Sequence, residues 1–297
     1  MTARAPRAET TLPPGELALA LLIAALWGVS FVAIKAGVAQ APPLFLTALR
    51  FALATFPAIL FIPRPKVRWA DLIGYGLCIG VGQFGLLFLA IRDGMPAGLA
   101  SLVIQTQAIF TMALAHILLG QKTRPRQVVG ALVALTGVAI IGFSRGAAAP
   151  VAPFLAVLAA AVFWSAGNLF SIRAGRTNML GFIVWSSLFA PLPLLALSLL
   201  LEDHGAILTA VLHPTFAVWG GAAFLAYGAT TVGFGLWSWL LSRHPAALVA
   251  PFSLLVPVFG MASTALVFGE TLGPGVIAGA FVVLAGLALA VTPGRRT

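Results

Sequence analysis

Between Leu17 and Ala39 the chain carries a single charged side chain, Lys35, in a run that is otherwise almost wholly apolar. About 20 predominantly apolar residues suffice for a helix to cross the hydrocarbon core of a bilayer. Runs of this kind recur along the chain, at roughly 17–39, 43–62, 70–91, 96–119, 127–143, 152–172, 179–200, 216–241, 246–268 and 275–292. Lipid offers no partner to a backbone N–H or C=O, so each spanning run must satisfy its own groups as a helix, and the ten-residue alternation of a barrel strand does not occur. The expected fold is an all-α integral membrane protein of ten transmembrane helices. Composition agrees, with 61% apolar and 8% charged residues against roughly a quarter charged in a soluble domain.

The formal net charge is +10, which in a soluble protein raises nucleic-acid binding. Here the basic residues mark topology instead, and no nucleic-acid partner is expected. With the N-terminus inside, the inner segments hold Arg4, Arg7, Arg64, Lys66, Arg68, Lys122, Arg124, Arg126, Arg173, Arg176, Arg243, Arg295 and Arg296. The outer segments hold Lys35, Arg92 and Arg145, and Arg50 lies within the second span. This positive-inside asymmetry predicts that both termini face the cytoplasm, with residues 1–16 a leader and 293–297 a tail. The first run follows a polar leader, is long, lacks a small-residue cleavage site and precedes nine more runs, so it is read as a retained span. The only cysteine, Cys78, falls in the third span, which rules out a disulfide framework. It reads as a small core hydrophobe.

An internal repeat divides the chain. Residues from 96 onward, "PAGLASLVIQTQAIFTMALAHILLGQKTRPRQVVGALVALTGVAIIG", align without a gap on "PAALVAPFSLLVPVFGMASTALVFGETLGPGVIAGAFVVLAGLALAV" from 245. Pro96 meets Pro245, Phe110 meets Phe259, Gly120 meets Gly269, Pro125 meets Pro274, Gly130 meets Gly279 and Gly137 meets Gly286. Earlier in each half, "LWGVSFVAIKAG" at 26–37 resembles "FWSAGNLFSIRAG" at 163–175 with one residue added. The halves are placed at 17–145 and 150–292. Five spans is an odd number, so the second half enters the bilayer inverted, as in many secondary transporters whose substrate site lies at the midplane between halves.

The stretches "ALWGVSFVAIKAG", "LRFALA" at 49–54 and the frame "GQKTRPRQVVGALVALTGV", echoed by "GETLGPGVIAGAFVVLAGLAL", resemble the EamA-type repeats of the drug/metabolite transporter superfamily over nearly the whole chain. Within it the chain is most similar to the YddG-type exporters of aromatic and other neutral amino acids. The resemblance implies ten helices, a bacterial inner-membrane location and export of small metabolites. One position departs from the pattern: the acid usual after the helix-ending glycine is Gln121 in the first half and Glu270 in the second.

Polar residues within the spans are the candidate site. Gln105 and Gln107 lie near the bilayer centre about 200° apart around their helix, so one can line a cavity while the other bonds a neighbouring helix. Gln83, Ser30, Tyr227, Thr230, Thr231 and Ser253 fall within about two turns of the midplane, with Asn168 deeper toward the cytoplasm; each alone is equally readable as a packing residue. Trp27 and Trp164 occupy matching repeat positions away from the interfacial belts. Pro251 and Pro257 are expected to kink the ninth span and free the carbonyls of Ala247 and Ser253. Lys35 and Arg50 read as snorkelling cations, with capture of a substrate carboxylate as the alternative for Lys35. His116 reads as an interfacial hydrogen-bonder. Gly76 with Gly80, and the seven-residue glycine pairs Gly130/Gly137 and Gly279/Gly286, predict close helix contact, the latter between the fifth and tenth spans or at a dimer surface.

The acids Glu9, Glu16, Asp71, Asp93, Glu202, Asp203 and Glu270 all fall at helix ends or in loops. Proton-coupled pumps generally place a titratable group in the pathway, and cationic-drug exporters need a countercharge there. The sequence therefore favours facilitated export of neutral, zwitterionic solutes such as amino acids, with proton-coupled drug or metabolite efflux as the alternative. Without HExxH, GxSxG or an intramembrane acid pair, an intramembrane enzyme is disfavoured, and neither metal nor cofactor is expected. The expected partners are a small-molecule substrate and the lipid bilayer, with the chain as monomer or weak homodimer.

Overall fold

The computed structural model describes residues 12–120, 125–144, 150–175, 177–244 and 249–291. Every regular element among them is helical. In chain order the main helices are α1 (Pro14–Val38), α2 (Pro43–Phe61), α3 (Trp69–Arg92), α4 (Ala97–Leu119), α5 (Pro125–Ile141), α6 (Val151–Ala174), α7 (Met179–Leu201), α8 (Phe216–Trp237), α9 (Phe252–Phe268) and α10 (Pro274–Ala290). Seven of them, α1 to α4 and α6 to α8, are long and apolar enough to cross a membrane; α5, α9 and α10 are shorter apolar helices. The protein is an integral membrane protein, and each apolar run of the sequence coincides with one of these helices. One element was not foreseen: the segment after α7 folds into a short helix, His204–Leu212, whose first turn is capped by the Asp203 carboxylate accepting from the Ala206 N–H at 2.7 Å. Residues 1–11 of the expected leader, the tail, Gln121 and Ala247 lie outside the described residues, while residues 14–16 of that leader already belong to α1, which opens on Pro14, a residue suited to the first helical position.

Several helices change pitch, and two pairs of these changes fall in repeat-related places. In α3 the segment Leu77–Gly85 is π-helical, and in α8 so is Phe224–Val232. The offset that lays residue 96 on 245 carries 77–85 onto 226–234, within two residues of the second segment. In α4, Ile104–Thr106 is a 3₁₀ turn, and α9 begins in the 3₁₀ segment Ala250–Leu255; the same offset carries 104–106 onto 253–255. Threonines stabilise the wide pitch of α8: the Thr230 and Thr231 hydroxyls donate to the carbonyls five residues back, Leu225 and Ala226, at 2.9 and 3.1 Å. Gly120 and Gly269, one repeat apart, end α4 and α9 in the left-handed conformation that glycine adopts without strain.

Between membrane helices, where lipid is as apolar as leucine, close packing of small residues replaces the hydrophobic drive of soluble cores. The glycine pairs of α5 and α10 supply it. A Cβ added at Gly137 would meet the Val283 backbone N at 2.6 Å, and one at Gly130 would meet the Ala290 N and the Gly286 carbonyl O at 2.6 Å each. The two helices touch backbone to backbone, so these glycines serve the contact of α5 with α10. Gly76 and Gly80 play the same part in α3, where an added Cβ would run into the Ser186 carbonyl and the Ala190 side chain of α7. The largest buried cluster joins the halves, with Phe88, Leu99, Leu102 and Ile104 of the first against Val157, Ala161, Leu225 and Val283 of the second. Replacing Gly137 by Leu should lower the thermal stability of the detergent-solubilised protein by roughly 1–3 kcal/mol, the usual cost of overpacking. Gly273→Ala, where nothing lies within 4 Å of an added Cβ, should leave the melting temperature unchanged; equal melting temperatures for the two variants would refute the backbone contact.

Candidate functional site

Between α4 and α6 runs a polar ladder. The Asn168 side-chain amide donates to the Gln107 Oε1 at 2.9 Å and lies 3.0 Å from the Thr111 hydroxyl, which in turn donates to Gln107 at 3.3 Å. The Ser165 hydroxyl lies 2.9 Å from the Gln107 carbonyl and 2.7 Å from that of Ala161. Gln107 is therefore the glutamine that binds a neighbouring helix. Gln105, in the 3₁₀ turn, is 7% exposed, and Gln83, in the π segment of α3, is 2% exposed. Among the described residues neither amide is hydrogen-bonded to protein. Beyond the polar ladder, a groove of about 460 Å³ opens between the ends of α4 and α6, lined by Leu118, Leu119, Ala166, Leu169, Phe170 and Arg173.

The repeat-related tryptophans lie on helices that pack across the halves. Trp27 of α1 donates its indole N–H to the Ala229 carbonyl, in the π segment of α8, at 2.8 Å, and its ring sits 5.2 and 5.3 Å from those of Phe234 and Trp237. Trp164 of α6 packs between the inter-half cluster and the smaller cluster around Leu44, Phe51 and Ile79. Ser30 bonds its own helix through the Leu26 carbonyl, and Thr231 does likewise. The Tyr227 hydroxyl reaches the Phe56 carbonyl at 3.0 Å, where α2 is interrupted, and the residue is half-exposed. Ser253 is half-buried and Pro251 falls with it in the 3₁₀ segment, while Pro257 is buried at the second position of the α-helix that follows. The Ser253 carbonyl, expected to be spare, accepts from the Val256 N–H: the tighter pitch closes the gap that proline opens.

Charges gather at helix ends. Lys35, in the last turn of α1, pairs with Glu270 at 2.6 Å, and its ammonium lies 4.6 Å from the centre of the Phe268 ring. It neither snorkels nor stands free for a carboxylate. The Glu270 carboxylate also accepts from the Ala97 and Gly98 N–H groups at 3.0 Å, capping the start of α4. Partial burial raises its pKa, but the Lys35 ammonium and those backbone donors outweigh burial and hold the carboxyl below its ordinary value. Glu202, at the end of α7, caps α2 through the Leu44 and Phe45 N–H groups and accepts from Ser198. Arg173, ending α6, faces Asp71, which begins α3, at 3.6 Å. Glu16 near the start of α1 meets His244 after α8. Asp93 pairs with its neighbour Arg92. Among the described residues every acid is thus engaged at a helix end.

Arg50 is the exception to this order. The sequence reading took it for a snorkelling cation; it sits midway along α2, 4% exposed, its guanidinium carbon 3.7 Å from the centre of the Phe84 ring and its Nη2 3.3 Å from the Thr230 hydroxyl. Its Nε and Nη1 are buried without an acceptor. Phe84 follows Gln83 on the same π segment and Thr230 lies on its counterpart in α8, so Arg50 joins the two irregular segments. The neighbours that enclose it come from two other helices, which is why the sequence reading took Arg50 for a snorkelling cation.

A sequence profile described as the EamA-like transporter family matches residues 15–143 and again residues 152–292. The chain belongs to the EamA-like transporter family. As an EamA-like transporter it resembles a "Probable amino-acid metabolite efflux pump" of Salmonella typhimurium, 44% identical over 275 residues, 91% of this chain and 92% of that protein. A protein of the same name in Escherichia coli (strain K12) is 40% identical over the same shares. A "Probable terminal-alkyne amino-acid exporter" of Streptantibioticus cattleyicolor is 27% identical over 93% of this chain and 97% of its own. A crystal structure 20% identical in sequence covers 93% of this chain and 95% of its own with a TM-score of 0.62, a likeness of fold.

Two outcomes follow for this EamA-like chain. A double-mutant cycle of Gln107→Ala and Asn168→Ala in denaturation of the micelle-bound protein should return a coupling of about 0.6 kcal/mol, typical of membrane interhelical hydrogen bonds; zero coupling would dissolve the polar ladder. Because the Glu270 carboxyl titrates lower folded than unfolded, its tie is fully present above the ordinary carboxylate pKa and is lost as pH falls through the lowered value. Wild type should therefore melt above Glu270→Gln at neutral pH, and the two should converge on acidification; a gap that widens in acid would contradict the assignment.

Proposed function

We propose that the chain exports neutral amino acids, aromatic ones included, or similar small zwitterionic metabolites, by facilitated diffusion through alternating access at a chamber between its halves. The observation that carries this reading is a mid-span region free of acids among the described residues, where the amides of Gln83 and Gln105 make no hydrogen bond to protein and Nε and Nη1 of Arg50 meet no acceptor, while the described acids are held at helix ends. The names of the amino-acid exporters among the relatives point the same way. Trp27, Ser30, Gln83, Gln105, Gln107, Trp164, Asn168, Tyr227, Thr231 and Ser253 remain the proposed substrate surface, with Gln107 and Asn168 forming a shared wall, and Pro251 and Pro257 the proposed gate elements. A zwitterion fits such a chamber because amides and carbonyls solvate its two charges locally and a tryptophan face can receive its side chain or ammonium.

We further propose that all ten helices span the bilayer with both termini in the cytoplasm, as two oppositely oriented units at 17–145 and 150–292. The helix-end contacts support alternating directions. The start of α1 meets the end of α8 through Glu16 and His244, and the start of α3 meets the end of α6 through Asp71 and Arg173. The ends of α1 and α9 meet the start of α4 through Lys35 and Glu270, and the end of α7 meets the start of α2 through Glu202. Odd-numbered starts join even-numbered ends at one side, as successive crossings require.

Counterflow of labelled neutral amino acids in proteoliposomes tests the function. Uptake should appear with or without a pH gradient, and Gln105→Leu and Trp164→Ala should each slow it by about tenfold, as loss of ~1.4 kcal/mol of interaction would. Flux that requires the pH gradient would replace this reading by proton-coupled efflux, and normal rates in both variants would return those residues to packing.

A further inference from the structure

Arg50 is a cation at mid-helix with no carboxylate to answer it. Its guanidinium is planar and always charged, offering five N–H donors in a fork that matches the two oxygens of a carboxylate. One donor reaches Thr230, the π face lies against Phe84, and Nε and Nη1 meet nothing. The described acids are taken up elsewhere: Glu270 by Lys35, Asp71 by Arg173, Glu202 by the start of α2 and Glu16 by His244. An intramembrane charge left without a partner is expensive and marks a pathway or ligand, and removing one partner of a buried pair leaves such an orphan. The protein has arranged this orphan permanently, on the seam between the two π segments.

Resting on the export reading above, we infer that Arg50 is the anchor for the carboxylate of the cargo, and that the chamber selects for that carboxylate while the ammonium is dispensable. The Nε and Nη1 atoms are sealed from water in this conformation, held under Phe84 and tethered to Thr230 of the other half. Parting of the halves breaks the Thr230 tether, and the carboxylate then takes the donors that have no acceptor here. No acid stands among the described mid-span residues to reward a cationic amine. Removing the carboxylate's charge by amidation should therefore cost the ligand its main contact, whereas acylating the amine removes a group met only by aromatic faces, amides and carbonyls.

Competition for labelled phenylalanine and leucine on the purified protein reads this directly. N-acetylphenylalanine should displace label nearly as well as phenylalanine, and phenylalaninamide should be weaker by about 10- to 100-fold, the span of a hydrogen bond made to a charged group. Arg50→Gln should weaken phenylalanine by a similar factor and leave phenylalaninamide where it was, erasing the preference, and Arg50→Lys should restore part of it. A merely structural arginine would lower both ligands together in Arg50→Gln. The comparison of ligands on wild type needs no variant, so misfolding of Arg50→Gln leaves the test intact. Equal affinity of wild type for the acid and the amide, or an unchanged preference in Arg50→Gln, overturns the inference while export of neutral amino acids stands. Failure of wild type to bind or exchange either labelled amino acid overturns the export reading, and the anchor falls with it.

Discussion

A bilayer core supplies no water to a stray N–H or C=O, and the architecture of this chain follows from that deprivation. It makes each apolar run a helix, drives the charges to the helix ends, and restricts departures from α pitch to places where other protein covers them. The π segments within α3 and α8 and the 3₁₀ segments of α4 and α9 form repeat-related pairs, whereas the π turn Phe216–Gly220 that opens α8 falls, one repeat back, on the α-helical start of α3. Each disturbed backbone is repaired locally, as when Thr230 and Thr231 bond five residues back or Val256 takes the Ser253 carbonyl.

Much of this was legible before any coordinates. Hydropathy alone located every main helix, because twenty residues without charge have few other fates. The repeat followed from glycines and prolines holding one offset, and those glycines end helices or lie in backbone contacts, both of which exclude a side chain. Of the pitch changes only that of α9 was legible, through Pro251 and Pro257; Ile104–Thr106 contains neither proline nor glycine, and Gly80, Gly82 and Gly85 in the π segment of α3 suit close helix packing as well as a change of pitch. The fate of long side chains was not legible either. Lys35 and Arg50 look alike in the sequence, each a lone cation in an apolar run; one finds Glu270 at a helix end and the other is enclosed by Phe84 and Thr230. Which of two glutamines bonds a neighbour depended on where α6 lies, information that one helix cannot contain.

The two halves are related in backbone and differ in charge. Lys35 and Arg173 hold corresponding positions, yet Lys35 meets the acid that follows its partner's helix-ending glycine, whereas Arg173 turns to Asp71 of α3. Glu270 binds three elements at once, the ends of α1 and α9 and the start of α4; its repeat counterpart is Gln121, an uncharged residue. Folding energy and electrostatics are thus distributed unequally between the two ends of a molecule whose helices are laid out by near symmetry.

The contact of α5 with α10 has a mechanical meaning. Where backbones touch through glycines spaced seven apart, sliding either helix by one residue would drive a methyl group of Ala131 or Ala280 toward a groove sized for hydrogen. That joint has a single register and no slack. A movement of one bundle against the other that kept this contact would have to turn about the pair rather than slide along it.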